Sequence, residues 1–454
     1  MNKNLTSNGD LKIFPLLMCG GALFSMHFGA SSMVWPMNWG KESGSSVWPA
    51  FAGAFITSLL LVIITYIALA KGDGTYNKIT KRIVGSKFGN FYTCVTILIL
   101  GPFYAIPRMS AASWDSIVQA FELDADNKVL LIAFTVVFYV ITYFFLMNPG
   151  KAMDRISSIL FPVLLIIVVA VVGKGLLNPI AEPVAKSYEG SAFAYGFTNG
   201  YATAEILCAL IFGVVIFNTL KNKGVGESRM TANLIRVGIV GIAMLSCTHL
   251  AHMIIGAKTG GTIGLEYTAL YTAVAAELYG KVGGYLFAGA LFLAALTTAI
   301  GMTSGCAEFF VDTTGGKYSY KQFSIVILVL SIIFGSLGLT NILSILGPIL
   351  DGIYPAAIVL VIYYAFMPHA LSKRPLYACK WAMYAAFALG MVDMLWKYLV
   401  KFELDPGGIC GLYLKLPLAG VSLAWIPWTA LAFVIGWFVY KSSPETDGGN
   451  AAEA

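Results

Sequence analysis

The chain has 454 residues, is 58% hydrophobic and carries only 11% charged residues. Soluble domains run near 25% charged (about a quarter), so this composition excludes a soluble globular protein, and no polar stretch is long enough for a separate soluble domain. The net charge of +6 is not a nucleic-acid signature, because the basic residues are spread over alternate loops and form no single patch.

Apolar runs of about 20 residues, enough to cross a bilayer, recur twelve times, centred near residues 24, 60, 98, 138, 164, 206, 243, 294, 329, 354, 387 and 429. The first follows a short segment holding Lys3 and Lys12. It is too long for a signal-peptide core and no small-x-small cleavage pattern follows, so it is read as the first span. Within that span, the stretch from Ser25 to Pro36 is interrupted by Gly29-Ala30-Ser31-Ser32. The polar, basic run Thr75 to Lys87 is expected at the cytoplasmic surface before the third span. The third span carries Gly101-Pro102-Phe103-Tyr104-Ala105-Ile106-Pro107-Arg108, whose two prolines loosen the helix. Asp115, Glu122, Asp124 and Asp126 follow as an acidic outer loop.

Residues 177–194 form a polar loop leading into the sixth span, which is interrupted at residues 198–203, within Thr198-Asn199-Gly200-Tyr201-Ala202-Thr203. Between Gly260 and Lys281, Leu265, Leu270, Val274 and Leu278 have helical spacing but are too few to span, which predicts an outer re-entrant or capping helix over a vestibule. The tail from Ser442 is expected to be disordered.

Lys71, Lys78, Lys81, Arg82 and Lys87 follow span two; Lys151 and Arg155 follow span four; Lys221, Lys223 and Arg229 follow span six. Lys317 and Lys321 follow span eight, and Lys373, Arg374 and Lys380 follow span ten. Positive residues favour the cytoplasmic side, which places both termini inside. Broken helices at matching places in two halves of a chain point to a transporter's binding site. The two breaks lie five spans apart. The predicted fold is therefore an all-α polytopic membrane protein of about 12 transmembrane helices. It comprises a 5+5 inverted repeat with helices 1 and 6 broken, and two extra C-terminal helices. The boundaries are a cytoplasmic N-terminus 1–12, one transport domain 13–442 and a cytoplasmic tail 443–454. Within the domain, repeat one is about 13–176, repeat two about 191–367 and the extra helices about 376–442.

An unwound helix frees N–H groups that attract an anion and carbonyls that attract a cation, and an amino acid zwitterion needs both. The carboxylate is expected on the N–H groups of Gly29, Ala30, Ser31 and Ser32, and the ammonium on carbonyls around Thr198, Asn199 and Tyr201. Gly29 and Gly200 would alternatively serve close helix packing. Phe103, Tyr104 and Tyr201 are candidates for an apolar wall. In span eight, Ala294, Thr297 and Thr298 offer a carbonyl and two hydroxyls, a set suited to a hard cation such as sodium. Threonine in a membrane helix commonly bonds its own backbone, so the residues alone leave both readings open.

Arg108, Glu205, Glu308, Asp351 and Asp393 are the intramembrane charges, and such groups are functional hypotheses by default. Glu205, just past the second break, is a candidate for coupling to a cation or proton, and Arg108 for gating. Glu308 and Asp393 are expected near cytoplasmic ends, solvated or paired. His27 precedes the first break and is expected to be packed or bonded to backbone, with coupling by protonation as the alternative. His249 and His252 are spaced like a metal pair, but no third ligand is identifiable. The seven cysteines include no Cys-x-x-Cys pair and read as packing residues.

The ordered segments Gly101-Pro102-Phe103-Tyr104-Ala105-Ile106-Pro107-Arg108, Asn148-Pro149-Gly150-Lys151, Asn199-Gly200-Tyr201, Phe212-Gly213-Val214-Val215-Ile216, Thr298-Ala299-Ile300-Gly301, Cys306-Ala307-Glu308-Phe309-Phe310 and Ile353-Tyr354-Pro355 make the chain similar to one family. It resembles the bacterial branched-chain amino acid:cation symporters (the LIVCS family). The resemblance implies import of leucine, isoleucine and valine with sodium, or in some members protons, across the cytoplasmic membrane of a bacterium. By analogy with other amino acid and sodium symporters it also implies a sodium site. That site would use carbonyls near Ser25 and Phe28, the Ala294 carbonyl, and the hydroxyls of Thr297 and Thr298. Related sequences read Gly-Ala-Gly-Asn at the first break. Ser32 supplies only a shorter hydroxyl arm there, so a second sodium site is not carried over. Glu205 falls where an aspartate is common. No cofactor is implied. The rival readings are another small neutral substrate, proton coupling, a polytopic enzyme or a channel. No catalytic or pore-loop motif supports the last two.

Overall fold

Nearly all the long helices turn large aliphatic side chains outward, which is stable only against lipid. On the fourth span Val129, Ile132, Val136, Val140 and Phe144 are exposed while Leu131, Thr135, Phe138 and Thr142 on the other face are buried. Lipid is as apolar as the interior, so the helices associate through close packing and small or hydroxylic residues. The computed structural model describes residues 4–72, 75–147, 152–366, 373–405 and 408–440. Lys3, the Asn148-Pro149-Gly150-Lys151 segment and the tail from Ser442 lie outside the described residues.

The first span is α1 (Ile13–His27) and α2 (Ala30–Ser43), separated by Phe28 and Gly29. The second is α3 (Val47–Ala54) and α4 (Leu61–Lys71), with the π-helical stretch Phe55–Leu60 between them. The amphipathic α5 (Tyr76–Val84) precedes the third span. That span is α6 (Ser86–Leu98) and α7 (Ile106–Phe121), joined through the π-helical Ile99–Ala105. α8 (Lys128–Leu146) is the fourth; α9 (Ala152–Arg155), Ile156–Leu160 and α10 (Phe161–Leu177) make the fifth. The sixth is α11 (Ala192–Ala202) and α12 (Glu205–Asn222). α13 (Glu227–Ala257), α15 (Lys281–Thr313), α16 (Tyr320–Gly335), α17 (Leu339–Phe366) and α18 (Lys373–Lys401) follow as spans seven to eleven. The short α14 (Tyr267–Tyr279) lies between α13 and α15, and α19 (Ile409–Tyr413) precedes the last span, α20 (Trp425–Val439).

Each set of five spans opens on a broken helix. An odd number of crossings per set returns the chain to the opposite face, so the second set is inverted with respect to the first. α18 and α20 add the extra pair, with α18 packed on α17 and on α20.

Both breaks are narrower, and one is displaced, relative to the sequence expectation. Ser31 and Ser32 belong to the first turn of α2, so the first break is Phe28–Gly29 alone. Thr198, Asn199, Gly200 and Tyr201 are helical within α11, and the second break falls at Thr203–Ala204. The reason is local. The Thr198 hydroxyl bonds the Ala194 carbonyl at 2.9 Å and Asn199 bonds that of Tyr195 at 3.0 Å, so these polar side chains stay with the helix. The turn is made at Ala204, held at φ +52°, a left-handed conformation unfavourable for a residue with a Cβ.

α1 and α2 both pack on α13. The α2–α13 crossing brings the two backbones together: a Cβ on Gly40 would lie 1.9 Å from the Met253 carbonyl oxygen, and one on Gly256 1.9 Å from that of Met37. Asp115 lies inside α7, not in a loop after it. Asp393 lies towards the end of α18 that leads to α19. It is buried and paired, with Lys397 at 3.3 Å and a hydrogen bond from the Tyr413 hydroxyl. Lys397 also reaches Asp351 at 2.7 Å, and Glu308 accepts from Asn218 at 2.7 Å and Ser304 at 3.1 Å.

Candidate functional site

The site is built where α1 stops. A helix end leaves carbonyls without partners of their own, and here hydroxyls of α15 meet them. Thr297 Oγ1 donates to the Ser25 carbonyl at 2.6 Å and lies 2.9 Å from the Ala294 carbonyl. Thr298 Oγ1 donates to the Met26 carbonyl at 2.7 Å. Three of the five residues expected around a sodium ion (Ser25, Ala294 and Thr297) therefore meet at one hydroxyl, and Thr298 meets the carbonyl next along α1. The second carbonyl of α1 that a hydroxyl of α15 meets is that of Met26, where one near Phe28 was expected. All the donors are oxygen, the chemistry a hard monovalent cation takes. Gly29 is required by this approach, since a Cβ there would lie 2.7 Å from Thr298 Oγ1.

The two breaks are also tied together by side-chain hydrogen bonds. His27, the last residue of α1, sets Nδ1 2.9 Å from Glu205 Oε2 and Nε2 2.8 Å from the Tyr66 hydroxyl. Ser32 Oγ donates to the other Glu205 oxygen at 3.1 Å. Glu205 is the first residue of α12, where a carboxylate also meets the positive end of the helix. His27 was expected to be packed or bonded to backbone. It is instead side-chain bonded on both nitrogens, and Tyr66 was not anticipated. Nothing in the sequence distinguishes Tyr66 among 23 tyrosines; only the fold carries α4 to His27.

Past the first break, Ala30 and Ser31 border a cavity of about 620 Å³. Arg108, Ala112, Asp115 and Gln119 line it from one stripe of α7, and Val34, Trp35, Leu339 and Leu343 supply apolar wall. Glu266, just before α14, and Tyr267, Thr268 and Ala269 at its start also border it. Arg108 is held over the rings of Tyr104 and Trp35, at 4.7 and 5.5 Å, and Nη1 donates to the Tyr104 hydroxyl at 3.0 Å. Asp115 could have been found from its i+7 spacing to Arg108, which puts both on one helix face.

The expected second-break residues lie elsewhere. Tyr201 and Phe197 line a separate, apolar cavity of about 530 Å³ with Thr57, Trp425 and Phe433. The Tyr201 hydroxyl accepts from Trp425 Nε1 at 3.1 Å, and its ring packs 4.9 Å from that of Tyr354. Gly200 is a close-packing position, where a Cβ would meet Thr57 Oγ1 at 2.4 Å. Phe103 packs on Phe334 of α16 at 5.0 Å, away from the cavity. His249 and His252 bond the Leu245 and Thr248 carbonyls at 2.9 and 2.6 Å, and His252 also meets the Tyr271 hydroxyl. Among the described residues no group of three or more metal-ligating side chains occurs.

Comparison with known proteins places this architecture. The family model described as "Branched-chain amino acid transport protein" matches residues 13–443. The "Branched-chain amino acid transport system 2 carrier protein" of Pseudomonas aeruginosa is 32% identical over 430 residues, covering 94% of this chain and 96% of that one. The "Branched-chain amino acid permease BraB" of Bacillus subtilis is 28% identical over 444 residues, with 94% and 96% covered. These relatives are named carriers and permeases, not enzymes. Among solved structures, a Na+-coupled sialic acid symporter in its substrate-bound outward-open state matches with a TM-score of 0.62 at 12% identity, covering 97% of this chain and 92% of that one. That likeness concerns the fold alone. On the family model and the relatives, the chain belongs to the branched-chain amino acid transport protein family.

Proposed function

We propose that this protein imports leucine, isoleucine and valine by symport with sodium, through alternating access, across the cytoplasmic membrane of a bacterium, with both termini inside. The substrate class rests on the relatives, which are named for branched-chain amino acids. The coupling rests chiefly on one observation: hydroxyls of α15 converge on carbonyls at the broken end of α1.

A sodium ion at this place would be held by the Ser25, Met26 and Ala294 carbonyls and the Thr297 and Thr298 hydroxyls. It would tie α1 to α15 and so favour one arrangement of the broken helix over the other, as population shift requires. The substrate carboxylate would meet the first-turn N–H groups of α2 at Ala30, Ser31 and Ser32. Its ammonium would turn towards Glu205 and the carbonyls ending α11, and its side chain would lie on the apolar wall. Each monovalent cation entering supplies about 2.3 kcal/mol per 100 mV of membrane potential, plus its concentration gradient.

The test is uptake of labelled leucine into liposomes holding the purified protein, with an inward sodium gradient and then with potassium replacing sodium at fixed pH. Sodium-driven uptake competed by isoleucine and valine is expected. The double variant Thr297→Ala/Thr298→Ala is expected to lose sodium dependence; unchanged sodium stimulation in it removes the ion site. A second reading, proton coupling, is favoured by the buried His27–Glu205 pair. It predicts uptake that ignores sodium and follows a proton gradient.

A further inference from the structure

Arg108 is 9% exposed, and among the described residues no carboxylate lies within ion-pair distance of it. Among the described residues its side-chain hydrogen-bond partner is neutral, the Tyr104 hydroxyl, and Nε has none. A buried guanidinium without an anion is costly, far more so than a buried neutral group. The rings of Trp35 and Tyr104 hold it in place without neutralising it. It borders the same cavity as Ala30 and Ser31, the first turn of α2, where unpaired N–H groups present the positive end of a 14-residue helix. Two positive ends therefore face one cavity that has an apolar wall at Val34, Trp35, Leu339 and Leu343 and also carries the carboxylates Asp115 and Glu266, neither of them within ion-pair distance of Arg108. The ligand they call for has a compact planar anion beside an aliphatic body.

We propose that Arg108 is a substrate-binding residue that reads the amino acid's carboxylate, jointly with the N–H groups of Ala30 and Ser31. The proposal rests on the functional reading above and adds a charged recognition element to it. Asp115 does not share the bound molecule. It lies seven residues further along α7, about 10 Å of helix rise, whereas the carboxylate and ammonium of an α-amino acid sit on one carbon. The Arg108 side chain also points back towards Tyr104, away from Asp115. The guanidinium fork suits a carboxylate bidentately, which explains an arginine where a lysine would supply charge alone.

The experiment measures binding of labelled leucine to the purified full-length protein in competition with leucinamide, which keeps the side chain and ammonium but has no carboxylate. Wild type, Arg108→Gln and Arg108→Lys are compared, each in chloride and in gluconate buffer, with gel filtration reporting folding. The wild type is expected to prefer leucine in both buffers. Arg108→Gln is expected to lose at least about tenfold in leucine affinity, equivalent to 1.4 kcal/mol, while leucinamide affinity stays the same. An undiminished preference for leucine in Arg108→Gln overturns the proposal, as does wild-type leucine binding that requires chloride, which would make an inorganic ion the anion. If Arg108→Gln does not fold, Arg108→Lys carries the test: losing the fork is expected to shrink the preference by about threefold or more, and an unchanged ratio overturns it. Wild type that binds no branched-chain amino acid overturns the functional reading itself, a result distinct from a variant that binds leucine with its preference intact.

Discussion

Three side chains near the first break do different work, and single substitutions separate them. Gly29 lets α1 and α15 approach, so Gly29→Ala is expected to push Thr298 away from the Met26 carbonyl, given the 2.7 Å a Cβ would have to Thr298 Oγ1. The expected result is uptake with sodium dependence weakened as in Thr298→Ala, read as a raised sodium concentration at half-maximal rate. Glu205 and Ser32 share one hydrogen bond, but their substitutions should differ in size. Ser32→Ala removes a single neutral donor, about 1 kcal/mol. Glu205→Gln replaces the carboxylate that both His27 and Ser32 meet, and leaving a buried group unsatisfied costs about 1–3 kcal/mol, more for a charged group. Leucine uptake is expected to fall severalfold in the first and nearly to background in the second; equal losses would refute a charged role for Glu205. At this scale Thr297, Thr298 and Glu205 were legible as chemistry in the sequence. Tyr66 and Met26 were not, because a tyrosine or a backbone carbonyl carries no mark of its future neighbour.

At the scale of the element, the helix crossings depend on residues with no side chain to offer. Gly256→Leu is expected to force α13 from α2, since even a Cβ would lie 1.9 Å from the Met37 carbonyl oxygen. Overpacking of this kind costs about 1–3 kcal/mol or more, and a melting temperature lowered by several degrees in fluorescence-detected gel filtration is the measurement. Gly173→Ala in α10 is the control: nothing lies within 4 Å of its Cβ position, and a better helix former there leaves stability unchanged or improved by up to about 1 kcal/mol. The sixth span shows why break positions are hard to read. Glycine and polar residues at 198–200 suggested unwinding, yet their side chains satisfy the helix's own carbonyls. The chain turns instead at Ala204, an alanine in a left-handed conformation, which no propensity scale would nominate.

For the whole molecule, the alternation of basic loops predicts an orientation that accessibility can check. With the termini inside, the loop around Glu182 faces outward and that around Lys317 faces the cytoplasm, and both residues are exposed. In a background without native cysteines, Glu182→Cys is expected to react with a membrane-impermeant maleimide in intact cells and Lys317→Cys only after permeabilisation. The reverse pattern would invert the topology proposed above.

The sequence alone determined the membrane class, the number of spans and the pairing of broken helices five spans apart. Hydrophobic length and the interruption of an apolar run by polar residues are properties of the linear chain, although the exact residue of the second break is not. It also pointed to the α15 hydroxyls, because two adjacent threonines in an apolar helix are conspicuous. Tertiary structure decided which carbonyl each hydroxyl meets, that Glu205 joins His27 and Ser32, and that Tyr201 faces a cavity apart from Arg108. Those outcomes depend on how helices distant in sequence rotate and cross. Rotation is set by the fit of small residues such as Gly29, Gly40 and Gly256 against another backbone, a condition that exists only once both helices are in place.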